Sequence, residues 1–129
     1  MRNELDEALC RDFPKLFSKR HKSPTESCFS FGFECGEGWE PLLRRAAEKL
    51  EALNNTLENP DDYVRVSQIK EKYGTLRFYV GSVPSRIADE VDKITHEAEE
   101  ASEVTCEQCG KPGQLRGGSW VYVACEEHK

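Results

Sequence analysis

Cys106-Glu-Gln-Cys109-Gly110 and Cys125-Glu-Glu-His128 are the residues best equipped for chemistry in this 129-residue chain. Each pair is separated by two residues, and fifteen residues lie between Cys109 and Cys125. Two close pairs divided by a short segment form the spacing of a zinc site. A Cys-x-x-Cys turn lets two thiolates converge on one ion, and Gly110 relieves the tight backbone there. Cys125 and His128 meet on one face of a short helical turn. Four protein ligands leave no open coordination position, so the expected cofactor is one structural Zn2+ per chain. Incidental clustering or a disulfide is the competing reading, which a reducing cytosol disfavours. Cys10, Cys28 and Cys35, taken with His21, fit no ligand spacing and read as reduced thiols packed as small hydrophobes.

Those ligands need elements to position them. Leu115 to Val123, broken at Gly117-Gly118, reads as a two-stranded hairpin that carries the second pair back to the first. The composition turns to Cys, Gly and aromatics from Val104 onward, which divides a core at 1–103 from a zinc-binding module at 104–129. A tail this short cannot build its own hydrophobic core. In the core, Leu5, Ala8 and Leu9, then Phe13, Leu16 and Phe17, have helical spacing. Pro14 divides them into two helical pieces, with Asp12 placed to cap the second. Residues 18–27 read as a polar, basic loop.

Phe29, Phe31 and Phe33 alternate with small or polar residues, so Cys28 to Cys35 is expected to be a half-buried strand. A helix follows from Trp39 and Pro41, with Leu42, Leu43, Ala46, Ala47, Leu50, Leu53 and Leu57 apolar, and it must stop before Asn59-Pro60. Tyr63–Lys70 and Thr75–Gly81 form the strands of a hairpin, with Gly74 at a turn position needing positive φ. A long helix beginning at Pro84 carries Ile87, Val91, Ile94, Ala98 and Ala101 on one face. The expected fold is α+β, with helices packed on a small antiparallel sheet of about three strands and a zinc-ribbon-like or treble-clef-like appendage.

The formal net charge is −6, from 18 Lys and Arg against 24 Asp and Glu. Most of the excess lies on the last helix, where Asp89, Glu90, Asp92, Glu97, Glu99, Glu100 and Glu103 face only Arg86 and Lys93. Wholesale wrapping of nucleic acid is therefore disfavoured, and Lys111 and Arg116 are too few to make the module a strong nucleic-acid binder. No apolar run approaches the roughly 20 residues that span a bilayer. Acids occupy the first residues, where a signal peptide would carry basic and then apolar ones, so a cytoplasmic protein is expected.

The first hairpin concentrates the other interesting residues. Arg65, Lys70, Lys72 and Arg77 stand against Glu71 alone, with Tyr63, Tyr73 and Tyr79 among them. Arg77 and Tyr79 project to one face. Guanidinium forks and aromatic planes are what a phosphate-bearing nucleotide requires. Backbone N–H groups at the Gly36-Glu37-Gly38 helix start also favour anions, although Glu37 and Glu40 oppose them. Trp39 and Trp120 are candidates for pocket walls. The expected ligand-binding set is Trp39, Lys70, Lys72, Tyr73, Arg77, Tyr79 and Trp120; the same residues also fit a solvated sheet face with packed tryptophans.

Glu34-Cys35-Gly36-x-Gly38-Trp39, Lys70-Glu71-Lys72-Tyr73-Gly74-x-Leu76-Arg77-Phe78-Tyr79, Cys106-x-x-Cys109-Gly110-x-Pro112-Gly113, Gly118-x-Trp120 and Cys125-x-x-His128 together resemble a group of small uncharacterised proteins of tailed bacteriophages. The resemblance runs from about residue 28 to the C-terminus. It implies the host cytoplasm as the setting, and an accessory role against host defence by analogy with other small phage proteins. His21, His96 and His128 are the only histidines. No nucleophile elbow, phosphate-binding Walker loop or His-Glu-x-x-His motif occurs, so no enzymatic activity is expected. Three readings stand: a binder that sequesters a nucleotide-like signal, as a homo-oligomer if it acts as a sponge; a module that inhibits a host protein; and, last, a nucleic-acid-binding zinc module.

Overall fold

Residues 1–129 are all described by the computed structural model, in which helices form where the 3.6-residue apolar period runs unbroken. Helix α1 spans Asn3–Asp12, α2 Glu40–Asn54 and α3 Ser85–Ser102. Pro41 sits in the first turn of α2, where its missing N–H costs nothing. That helix ends at Asn54, short of Leu57. The expected second helical piece after Asp12 is instead a run of turns, in which the Phe17 amide donates to the Phe13 carbonyl at 3.1 Å. Proline at position 14 denies that segment a regular hydrogen-bond ladder. No helix of the chain is long and apolar enough to cross a membrane.

Strand β1 is Phe33–Glu34, β2 Val66–Lys72 and β3 Thr75–Val80, in the order β1-β2-β3. β2 and β3 are antiparallel, with Ile69 opposite Phe78 and Lys70 opposite Arg77. β1 joins β2 in parallel, so the sheet is mixed and not wholly antiparallel as expected. The expected strand at 28–35 survives only as those two residues. Cys28–Phe31 forms a short 3-10 turn, capped by the Ser27 hydroxyl accepting the Phe29 amide at 3.1 Å. The turn breaks the period of two: Phe29 and Phe33 are buried, whereas Phe31 points to solvent. Phe29 and Phe33 pack edge to face with centroids 5.2 Å apart, and Phe17 meets both.

Helix α3 packs against both α2 and β3, which leaves one face of the sheet covered and the other open. Val66, Ile69, Leu76 and Phe78 turn into the core from the covered face. Lys70, Lys72, Arg77 and Tyr79 alternate to the open one. The hairpin closes through a two-residue loop, Tyr73-Gly74, with φ of 54° and 87°. Positive φ at both positions gives the primed turn whose twist matches that of the strands. Gly74 adopts it freely; for Tyr73 the left-handed conformation costs roughly 1–2 kcal/mol. The Gly74 amide donates to Glu71 Oε2 at 2.7 Å and fixes the loop.

Two polar arrangements inside the core lie outside the periodicity. Glu51, on α2, is buried and accepts hydrogen bonds from the amides of Lys15 and Leu16 at 2.9 and 3.0 Å and from Asn54 Nδ2 at 3.1 Å. Asn54, fully buried, then holds Val64 through both its carbonyl and its amide. Arg20 lies in the loop expected to be solvated, yet it forms a two-pronged ion pair with Asp6 and donates to the Ser30 carbonyl at 2.8 Å.

Candidate metal centre and the hairpin beside it

Beyond α3 the chain forms the ribbon β4 (Gln114–Arg116) and β5 (Tyr122–Ala124), followed by a 3-10 turn at Glu126–His128. The buried apolar residues of this module are few: Cys106, Ala124 and Cys125 cluster with Tyr122 against them, and Val123 is buried apart from that cluster. That is too little to hold a fold by burial alone. The turns at either end of the ribbon bring Cys106, Cys109, Cys125 and His128 together, with their ligand atoms all within 4.8 Å of one another. Cys109 Sγ lies 3.7 Å from Cys125 Sγ. His128 Nδ1 lies 3.2 Å from Cys125 Sγ and 3.6 Å from Cys106 Sγ. The group can hold a metal ion, and Nδ1 is the ring nitrogen turned toward it. Spacing alone does not choose between the two nitrogens.

Two of the three thiols, Cys106 and Cys125, are lowered toward the thiolate, whereas at Cys109 the lowering by the Lys111 amide is outweighed by desolvation and the sulfur neighbours, which raise it. Burial raises the Cys106 thiol pKa, but backbone N–H groups of Cys125, Cys109 and Gln108 donate to the sulfur, and the balance lowers it to about 6. A ligand that is already largely thiolate at neutral pH needs little reorganisation to bind. Cys10, Cys28 and Cys35 lie outside this group, and the expectation that all three pack as small hydrophobes fails for Cys28, which is exposed at the start of the 3-10 turn, while Cys35 is buried and Cys10 half-buried. Burial, with Asp6 nearby, pushes Cys10 up to about 12, and burial with Glu107 does the same to Cys35. Both are inert thiols at neutral pH.

The module is seated on the core by main-chain atoms together with two side chains, Glu107 and Trp39. The Gly38 amide donates to the Glu107 carbonyl at 2.7 Å, and the Gly36 amide to Glu107 Oε2 at 2.8 Å. The indole N–H of Trp39 donates to the Thr105 carbonyl at 2.9 Å. The helix start expected to attract an external anion is thus filled by the chain's own carboxylate. Trp39 is fully buried and walls no open pocket. A Cβ on Gly38 would overlap the Cys106 carbonyl oxygen and the Glu107 main chain, neither of which is free to swing aside. Gly38→Ala is therefore expected to lower stability by about 2–3 kcal/mol, read as an earlier denaturant midpoint, with the first losses of amide protection at 104–110.

The remaining candidates divide between two places. Lys70 and Arg77 are directly opposed on the open sheet face, with Tyr79 beyond Arg77. Like charges set across a strand pair repel. Glu34 pairs in register with Lys70 from β1, yet none of Lys70, Lys72 and Arg77 forms an ion pair. Arg77 directs its guanidinium to the Thr75 hydroxyl at 2.8 Å and the Leu76 carbonyl at 3.3 Å. At the hairpin tip, Tyr73 and Trp120 line one cleft of about 290 Å3 with Glu71, Ser119 and Val121. Tyr73 is 73% exposed and Trp120 79%. Lys72 Nζ stands 5.6 Å from the centroid of the Tyr73 ring. Glu71, absent from the expected set, reaches the cleft because it alternates away from Lys70 and Lys72.

Comparison with protein-family models, curated proteins and solved structures finds no match.

Proposed function

We propose that the Cys106–Cys109–Cys125–His128 group holds one structural zinc ion and that the chain is a non-catalytic binding protein for a nucleotide-like molecule. The ion is assigned from donor chemistry and spacing. Thiolates at about 2.3 Å and an imidazole at about 2.0–2.1 Å from a tetrahedral centre stand about 3.8 Å (S to S) and 3.5 Å (S to N) apart. Three of the six pairs, at 3.7, 3.6 and 3.2 Å, lie near that frame, within a group whose atoms are all inside 4.8 Å of one another. Three soft donors and one imidazole also suit zinc better than the oxygen-seeking cations. With all four positions taken by protein, the ion stabilises and does not react.

The ligand class rests on one observation: an aromatic-walled cleft at the hairpin tip has Lys72, a cation with no acid partner, against its Tyr73 wall. Phosphate oxygens would answer Lys72, and a base would stack between Tyr73 and Trp120, while Lys70 and Arg77 lie on the open sheet face away from the cleft. The resemblance to small phage proteins supports a role in sequestering a host defence signal of that chemistry. Native mass spectrometry of tag-free protein from defence-positive cells is the test. The expected result is one zinc per chain and a phosphate-bearing small molecule released on heating, carried by the native chain and lost in Lys72→Ala. Protein that carries no such molecule and binds no added nucleotide overturns the reading. Recovery of one stoichiometric protein partner instead would favour the second role, inhibition of a host protein, for which exposed Tyr73, Leu115 and Trp120 are suitable anchors.

A further inference from the structure

We infer that the Tyr73–Trp120 cleft selects guanine among the bases, with Glu71 as the reading group; this rests on the nucleotide-binding reading of the same site. The aromatic walls do not serve folding. Tyr73 occupies a left-handed turn position that Asn or Gly fills at lower cost, and its ring projects into solvent. A strained side chain turned outward points to a task other than packing. Trp120 is equally exposed and adds nothing to the module's small apolar cluster. A cleft of about 290 Å3 has room for one planar base, close to the lower bound, roughly 300 Å3, of small-molecule sites.

Glu71 sets the choice of base. Its Oε2 accepts the Gly74 amide, whereas Oε1 has no partner, and the residue forms no ion pair. An ionised carboxylate only accepts hydrogen bonds. Guanine presents two adjacent N–H donors, at N1 and N2. Adenine and cytosine each place a ring acceptor beside their amino group, which would face the carboxylate lone pairs. Uracil offers a single donor between two acceptors. Lys72, beside the Tyr73 ring, supplies a cation for the attached phosphate.

The test is calorimetric titration of the zinc-loaded full chain with GMP, AMP, CMP and UMP. GMP is expected to bind at least about tenfold more tightly than the other three. Glu71→Gln keeps an oxygen for the Gly74 amide but places an N–H donor in the cleft, and is expected to abolish that preference. Tyr73→Asn is expected to weaken GMP binding about tenfold or more while raising the thermal midpoint, because it relieves the turn. A role in folding would move the midpoint the other way. Trp120→Ala, at an exposed loop, is expected to weaken GMP binding as Tyr73→Asn does; should Glu71→Gln fail to fold, Glu71→Asp, which keeps the charge but withdraws the carboxylate from the cleft, takes its place and is expected to lose the preference. Equal affinity for all four nucleotides, or retained preference in Glu71→Gln, overturns the assignment of guanine and leaves the nucleotide reading standing. No binding of any nucleotide, with or without binding of arginine amide (which has the same two-donor fork), overturns both.

Discussion

Cys109→Ala is expected to abolish stoichiometric metal binding and to unfold residues 104–129 while α1, α2 and the three-stranded sheet persist. Cys109 is the informative ligand because its side chain is exposed, so deleting the sulfur removes coordination without opening a cavity. Cys106, fully buried, would confound the two effects. Apparent zinc free energies of about 10–16 kcal/mol in small zinc modules exceed anything the three-residue apolar cluster supplies. The measurements are metal content by mass spectrometry and site-resolved amide exchange. Chelation of the native protein should give the same pattern, reversed on adding zinc. The exposed Trp120 should change little in emission, whereas Trp39, losing its bond to the Thr105 carbonyl, should shift to longer wavelength. One ion per chain and a protected module in Cys109→Ala would refute the coordination scheme.

Glu51→Ala is expected to cost about 3 kcal/mol or more, seen as a fall of roughly 10 °C in thermal midpoint. The carboxylate satisfies the Lys15 and Leu16 amides and the Asn54 side chain at once. Alanine would strand the buried Leu16 amide and the half-buried Lys15 amide, beside a Leu16 side chain that is itself fully buried. Glu51→Gln should cost about half as much, since its oxygen still serves one amide while its NH2 opposes the other. Chemical denaturation of the three proteins, with unchanged slope, measures the difference. Equal stability of native and alanine forms would show that water substitutes for the carboxylate. Because Glu51 lies far along α2 from the module, zinc content should stay at one per chain in both variants.

How much of the molecule is legible in its sequence depends on whether the signal is local. The Cys and His cluster, the turn at Gly74 and helix α3 follow from spacing within short segments, and each falls where that spacing predicts. The Cys28–Cys35 segment misleads because alternating phenylalanines fit a strand, while a serine cap and Gly32 with φ of 81° produce a 3-10 turn. Glu51 and Arg20 are hidden for a different reason. An acid on a helix and a base in a polar loop read as solvated, and only the partners Lys15, Leu16 and Asp6 reveal otherwise. The Gly36-Glu37-Gly38 turn does draw an anion, as a helix start should. Nothing nearby in the chain indicates that Glu107 satisfies it. Tyr73 and Trp120 stand out singly as aromatics, but only the fold sets them on one cleft and adds Glu71 between them.

The seat formed by Gly36 and Gly38 beneath Glu107 has an evolutionary corollary. Its specificity resides in amides, carbonyls and the absence of a Cβ at Gly36 and Gly38, with the Glu107 carboxylate and the Trp39 indole as the two side chains on which covariation can act. A homologous metal knuckle transplanted onto this body would succeed only if its backbone traced the same path over the two glycines. Lineages carrying this joint should accordingly inherit both halves as one unit, shuffling surface residues freely while leaving the hinge line unchanged.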